Sequence, residues 1–266
     1  MTIQHLAASG DGGGFIPPSI SEFFPAAIFG EGQIWEFNRI ILVRVIAAIV
    51  LVMLFVMAAR RAKLVPSRGQ NVAEMALDFV RVQIVEEILG ENARKYLPML
   101  TTMFFAILAF NMTGVIPLLN IASTSLVGMP ILLALWTYFM YLTSGVKKFG
   151  FFGYLKNSLF PPGIPWPLYI LITPIEILQV FIFRPATLAL RLTANMIAGH
   201  LLLVLCFITA NFFFFQMAGA MKGMFVVGVA AGVVFTLFEI LVAGLQAYVF
   251  TLLSAVYISM AIEEEH

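Results

Sequence analysis

Five polar residues stand out in the C-terminal third of the chain because their surroundings are apolar: Arg191, Asn195, His200, Glu239 and Gln246. An ionisable side chain at membrane depth costs roughly 3 kcal/mol or more, so such a position marks function by default. The residue types divide the chemistry between them. Arginine stays protonated and cannot pass a proton on, but it attracts a carboxylate and displaces that carboxylate's proton. Histidine and glutamate both take up and release protons, and each shifts the other's pKa. Gln246 and Asn195 can orient Arg191 or water without titrating. The set as a whole suits proton transfer beside a fixed positive charge.

Their spacing points to the elements that must hold them. From Leu168 to about Phe215 the chain is almost unbroken apolar sequence, and a second such run extends from Met224 to Ile262. At 1.5 Å per residue a helix of about 40 residues spans roughly 60 Å, against a hydrocarbon core of about 30 Å. Upright helices of that length do not fit, so the spacing predicts two strongly tilted helices forming a hairpin over about 168–262. Pro185 permits a kink in the first of them. In antiparallel helices, residues at equal depth have a constant index total. Arg191 with Gln246 totals 437 and His200 with Glu239 totals 439. Both place the turn near residue 219, where Gly219-Ala220-Met221-Lys222-Gly223 interrupts the apolar sequence. Arg191 is then expected to face Gln246. His200 is expected to face Glu239 about nine residues, or roughly 13 Å, nearer the outer surface.

Composition agrees with a membrane setting. Of the 266 residues, 61% are hydrophobic and only 11% charged, whereas a soluble domain carries roughly 45–50% apolar and about 25% charged residues. So few charges cannot cover a soluble surface, and the chain reads as an all-α polytopic membrane protein with about five membrane-embedded helices. The net charge of +1 gives no reason to propose nucleic acid as a partner. Cys206, the single cysteine, excludes a disulfide framework and a thiol metal cluster. No metal or cofactor is called for. No G-x-x-x-x-G-K-S/T nucleotide-binding loop occurs, so any ATP chemistry must belong to partners.

Residues 1–39 read as a short extracytoplasmic arm without the features of a signal peptide, and 40–266 as one membrane domain. Ile40–Ala59 is long enough to span and ends at Arg60-Arg61-Ala62-Lys63. Segment 64–97 mixes Glu74, Asp78, Arg81 and Glu86 with Val72, Met75, Phe79 and Val82 at helical spacing. That pattern predicts an amphipathic helix on the cytoplasmic surface or against a partner subunit. Leu97–Leu119 and Leu126–Val146 are the next spans, the latter ending at Lys147-Lys148. Two intervening segments hold ten of the fifteen basic residues, which puts the N-terminus outside and the C-terminus in the cytoplasm. The absence of a transit segment suits a bacterial plasma membrane.

Four segments resemble the subunit a family of F-type ATP synthases, also known as the ATPase subunit 6 family. Ala189 to His200 is similar to its L-R-L-x-x-N-M-x-A-G-E/H signature, and Leu245 to Phe250 to its L-Q-A-x-V/I-F signature. Phe110 to Pro117 and Tyr257 to Ala261 also fit. The resemblance runs from about residue 40 to the end. It implies a proton-channel stator subunit with no catalytic site of its own. Its partners would be a rotating ring of c subunits, peripheral-stalk b subunits, the remaining ATP synthase subunits and the lipid bilayer. Arg191 matches the family's essential arginine, which meets the ring carboxylates. Gln246 and Asn195 match polar residues of that site. His200 and Glu239 occupy the two outer-channel positions, with acid and histidine exchanged relative to many bacterial members. Arg184, Thr187 and Glu176 are the residues the resemblance puts along the cytoplasmic exit.

Other readings of the same residues stay open at this level. Arg191 could pair with Glu176 inside the bundle, and His200 with Glu239 could be a structural hydrogen-bonded pair. Glu176 and Arg184, eight residues apart, read equally as an intrahelical polar patch. Asn111 reads as a capping or packing residue. The wider alternatives are a proton-coupled secondary transporter and a structural membrane scaffold. Transporters of that kind carry internal repeats with paired broken helices, and the Arg191 and Gln246 segments have no second copy here.

Overall fold

The computed structural model describes residues 27–29, 37–60, 63, 67–116, 127–159 and 168–262. Residues 161–167 and 263–266 lie outside them, as does most of the N-terminal arm. The architecture is helical, and five helical stretches are long and apolar enough to cross a membrane. The exception to helix is a short antiparallel pair, β1 (Ala27–Phe29) with β2 (Phe37–Asn38), just before the first span.

Helix α1 (Arg39–Arg60) has no helix-breaking residue and ends on Arg60. It packs chiefly on the second spanning helix, and most of its apolar side chains are exposed. Exposed apolar surface on this scale suits lipid as the solvent. The amphipathic segment follows as α2 (Arg68–Val80), a widened π turn (Arg81–Glu86) and α3 (Glu87–Leu89). Ser67 caps α2, its hydroxyl accepting from the Gln70 N–H at 3.4 Å. The Gln70 amide in turn bonds both backbone groups of Lys63, which fixes the reversal out of α1. Gly90, with φ of 48°, ends this segment in a conformation costly for any residue with a Cβ.

The second span is α4 (Ala93–Val115), beginning a turn before the expected Leu97. The third is α5 (Gly128–Leu159), and it runs well past the expected end at Val146. Gly150 breaks it with φ 74° and ψ 165°. The Tyr154 ring then folds back onto Gly145, in a place any side chain at 145 would occupy. The lysine pair therefore sits at a bend rather than at a helix end. Lys148 donates from Nζ to the Ile262 carbonyl at 2.7 Å, so a cation caps the last turn of the final helix.

The hairpin forms as expected from α6 (Tyr169–Leu178), a π turn (Gln179–Phe183), α7 (Arg184–Gln216), a 3-10 turn (Gly219–Gly223) and α8 (Met224–Ile262). The two long helices make the most extensive helix–helix contact in the molecule, and α4 and α5 pack behind them. Close contacts set the register: a Cβ on Gly228 would stand 2.9 Å from the Ala210 Cβ, and one on Gly232 3.1 Å from the Phe207 ring. Those pairs total 438 and 439, in line with the polar pairs. The irregularity near Pro185 is the π turn that ends two residues before it. The core gathers toward the end that carries Lys148 and Ile262, where Leu100, Ile107, Tyr141, Leu188, Leu192, Phe250 and Ile258 are fully buried.

Candidate functional site

The buried side of α7 is a stripe of Leu188, Leu192, Met196, His200 and Leu203, at the three- and four-residue steps of one helical face. Its other face is exposed and carries Thr187, Leu190, Arg191, Ala194, Ala198 and Leu202. On α8 the exposed positions include Val234, Leu237, Phe238, Leu241 and Leu245. Both long helices of the hairpin thus carry exposed apolar side chains, and the exposed Arg191 lies among those of α7. Among the described residues Arg191 has no ion pair, neither with Glu176 nor with any other acid.

Toward the turn end of the hairpin, a cavity of about 130 Å³ opens between α4, α7 and α8. Its polar lining is Asn111, Asn195 and Glu239, and its walls are Leu192, Met196, Leu202, Phe235 and Val242. A single water needs about 10–15 Å³ in such a measure together with two to four polar partners, so this space takes several waters. Glu239 is buried, and neither carboxylate oxygen has a hydrogen-bond partner among the described residues. A buried polar group without a protein partner is costly unless water satisfies it, and the cavity has room for that water. The room for it comes from Gly199, where a Cβ would stand 3.1 Å from Oε1.

His200 is buried one residue further along, but it is not part of that cavity's lining. The expected level with Glu239 holds, while a direct hydrogen bond between the two does not. The same is true of Arg191 and Gln246. The register places them at one depth, yet Gln246 is buried with its Nε2 unbonded and Arg191 is exposed. Index totals fix depth, but they carry no information about azimuth.

Toward the opposite end lies a more open recess of about 310 Å³ lined by Gln179, Phe183, Arg184, Thr187, Tyr257 and Met260. Arg184 and Thr187 therefore line one recess. The Arg184 guanidinium lies over the Tyr257 ring at 5.3 Å. The Thr187 hydroxyl donates to the Phe183 and Arg184 carbonyls at 2.7 and 3.1 Å. Glu176 is half-buried on α6, lines neither space and makes no ion pair with Arg184.

Sequence reasoning missed three of the polar lining residues: Asn111, Gln179 and Tyr257. Asn111, read as a capping or packing residue, is buried on the wall facing Glu239. Its signal was available: an amide inside an apolar span needs polar company. Gln179 and Tyr257 gave no comparable signal, because the π turn that brings Gln179 to the recess depends on tertiary contacts.

Along α7, Thr187, Arg191 and Asn195 recur every four residues on nearly one line. Thr187 belongs to one recess, Asn195 to the other, and Arg191 lies between and lines neither. From Thr187 to Asn195 is eight residues, or about 12 Å of helix.

This fold and site define a class: a multi-spanning helical membrane protein whose last two helices form a hairpin with an exposed arginine between two recesses, each holding a few polar side chains in a largely apolar wall. A family model described as ATP synthase A chain matches residues 41–259. A protein of Rhodococcus erythropolis named ATP synthase subunit a is 47% identical over 254 residues, covering 95% of this chain and 92% of its own. Proteins of the same name from a Nocardioides species and from Streptomyces lividans are 39% and 36% identical, each covering over nine-tenths of both chains. The chain belongs to the ATP synthase A chain family, and by that membership is a membrane-embedded component of the ATP synthase complex.

Proposed function

We propose that this chain is the proton-conducting stator subunit of the complex, working through two half-channels that meet a ring of carboxylate-bearing c subunits. The observation that carries this reading is the position of Arg191, exposed on an apolar face midway between the two recesses. A buried or paired arginine would need no second chain. An exposed one at membrane depth calls for a counter-charge that another protein supplies. The ring carboxylates are that counter-charge.

Protons from outside reach the Asn111–Asn195–Glu239 cavity, with His200 beside it at the inlet, and protonate a ring carboxylate. Neutralised, the carboxyl group can turn away into lipid. On its return it meets Arg191, which holds it ionised and so prevents protons from running straight between the two recesses. The released proton leaves past Thr187 and Arg184. Gln246 and Asn195 orient the groups around Arg191. Glu176, outside both recesses, is left to a secondary role near the exit. Each elementary charge moved through the potential contributes about 2.3 kcal/mol per 100 mV.

Orientation follows the basic residues. Lys148, Arg184 and the end of α8 lie at one end of the bundle, and the amphipathic segment joins them there through Ser259, whose hydroxyl donates to the Ile88 carbonyl. We assign that end to the cytoplasm of a bacterial cell, with the N-terminus outside. The exposed apolar residues Val72 and Met75 on α2 suit the lipid interface or a peripheral-stalk b subunit.

Sided thiol labelling tests this. With Cys206 replaced by serine, a cysteine at Ala198 should react with a membrane-impermeant reagent from outside, and one at Thr187 from inside. Labelling of both positions from one side would rule out two half-channels.

A further inference from the structure

The turn that delivers Arg184 to its recess is held together by a residue on another helix. Between Gln179 and Phe183 the helix widens to π spacing, and the Arg184 N–H donates to the Gln179 carbonyl five residues back. The next carbonyl, that of Val180, would take the N–H of residue 185 in the same pattern. Residue 185 is proline and has none. The Tyr141 hydroxyl of α5 donates to the Val180 carbonyl instead, at 2.6 Å, with Tyr141 only 1% exposed. Its ring also packs edge-on against Tyr257, 6.2 Å between centroids, and Tyr257 is the ring beneath the Arg184 guanidinium. One side chain therefore contacts both the turn that carries Arg184 and the surface on which Arg184 rests.

A π turn inserts one extra residue, which rotates everything after it by about 100° relative to a continuous α-helix. Without a donor for Val180, the turn keeps a buried carbonyl unsatisfied, and relaxation toward α spacing swings Arg184 and Thr187 out of the recess. We infer that Tyr141 is a positioning residue for the cytoplasmic recess: its hydroxyl replaces the N–H that Pro185 lacks and so fixes where Arg184 and Thr187 stand. This rests on the reading of that recess as the proton exit.

The test is Tyr141→Phe in the whole complex, which keeps the ring and removes the hydroxyl. Proton flux through reconstituted complex should fall by about five- to tenfold at normal assembly, a drop matching one lost hydrogen bond to a buried carbonyl. A cysteine at Thr187, in the Cys206→Ser background, should change its labelling rate from the cytoplasmic side. The double variant Tyr141→Phe with Pro185→Ala, which returns a backbone donor to the turn, should recover most of the flux and the original labelling rate. Loss of an ordinary packing contact at Tyr141 would not respond to a new N–H at 185. Flux within twofold of the parent in the Tyr141→Phe complex overturns the inference, as does failure of Pro185→Ala to restore it. Should Tyr141→Phe alone not assemble, the double variant decides: assembly with near-parental flux supports the inference, and failure to assemble overturns it. The exit reading has its own check. If the thiol reagent on Thr187→Cys blocks flux while Tyr141→Phe is silent, the exit stands and the positioning role falls. If the modified cysteine leaves flux unchanged, the exit reading itself falls.

Discussion

The carboxylate of Glu239 lies against Gly199, with Oε1 only 3.1 Å from where a Cβ on that glycine would stand. The contact joins the two long helices at the wall of the outer cavity, so it is the most sensitive steric point of the proposed inlet. Gly199→Ala meets the free end of a side chain that can shift by a few tenths of an ångström, and proton flux should fall by about threefold or less. Gly199→Leu fills the cavity and displaces the carboxylate, and flux should drop on the order of 100-fold. Flux measured in inverted vesicles checks both. Equal behaviour of the two variants would separate Glu239 from the path.

Glu239→Gln keeps the shape and removes the titrating group. Because neither Glu239 oxygen is hydrogen-bonded among the described residues, assembly and thermal stability should hold or rise slightly. Flux should fall by about 10²- to 10⁴-fold, the usual share of a positioned proton-transfer group. A scaffold role makes the opposite forecast, with flux kept and stability lost. Flux and melting temperature of the same purified complex distinguish them.

Gly228 differs from Gly199 in what it faces. An added Cβ there would meet the Ala210 Cβ at 2.9 Å and its backbone at 3.0 and 3.1 Å, atoms that cannot swing aside. Gly228→Ala should therefore spread the hairpin near its turn and destabilise it by about 1–3 kcal/mol. Thermal unfolding in detergent measures the loss. Gly223→Ala, with open space around the added methyl, should be indistinguishable from the parent.

The exposed face makes a separate forecast. Ala194 and Ala198 are exposed three and seven residues after Arg191, and Gly244 has no neighbour within 4 Å of an added Cβ. If a ring of helices rolls over this face, Ala194→Trp should abolish its co-purification while leaving the melting behaviour of the isolated chain unaltered. Retained association with the ring would move the contact elsewhere.

The sequence made the hairpin legible because both its signals are one-dimensional. Hydropathy marks where helices begin and end, and index totals near 438 mark depth, so the hydropathy and the totals matched Glu239 to the level of His200. What stayed hidden depends on rotation about the helix axis and on tertiary partners. Arg191 and Gln246 share a depth but face different ways. His200 and Glu239 share a level without a hydrogen bond. The fold-back of α5 at Gly150 hid behind a lysine pair that looked like a helix end. The π turn at Gln179–Phe183 needs the Tyr141 hydroxyl, 39 positions away in the chain, and no local pattern announces that. Asn111 is the residue that could have been found, since a lone amide in a membrane span is seldom idle.

The central claim is that Arg191 separates two half-channels by holding a partner's carboxylate ionised. Arg191→Ala in reconstituted complex tests it most directly, with coupled ATP synthesis and passive proton leak measured on the same vesicles. The account predicts that coupled synthesis is abolished while passive leak through the membrane sector persists or increases, because the recesses remain and the barrier between them is gone. Coupled synthesis at the parental rate in that variant would contradict it.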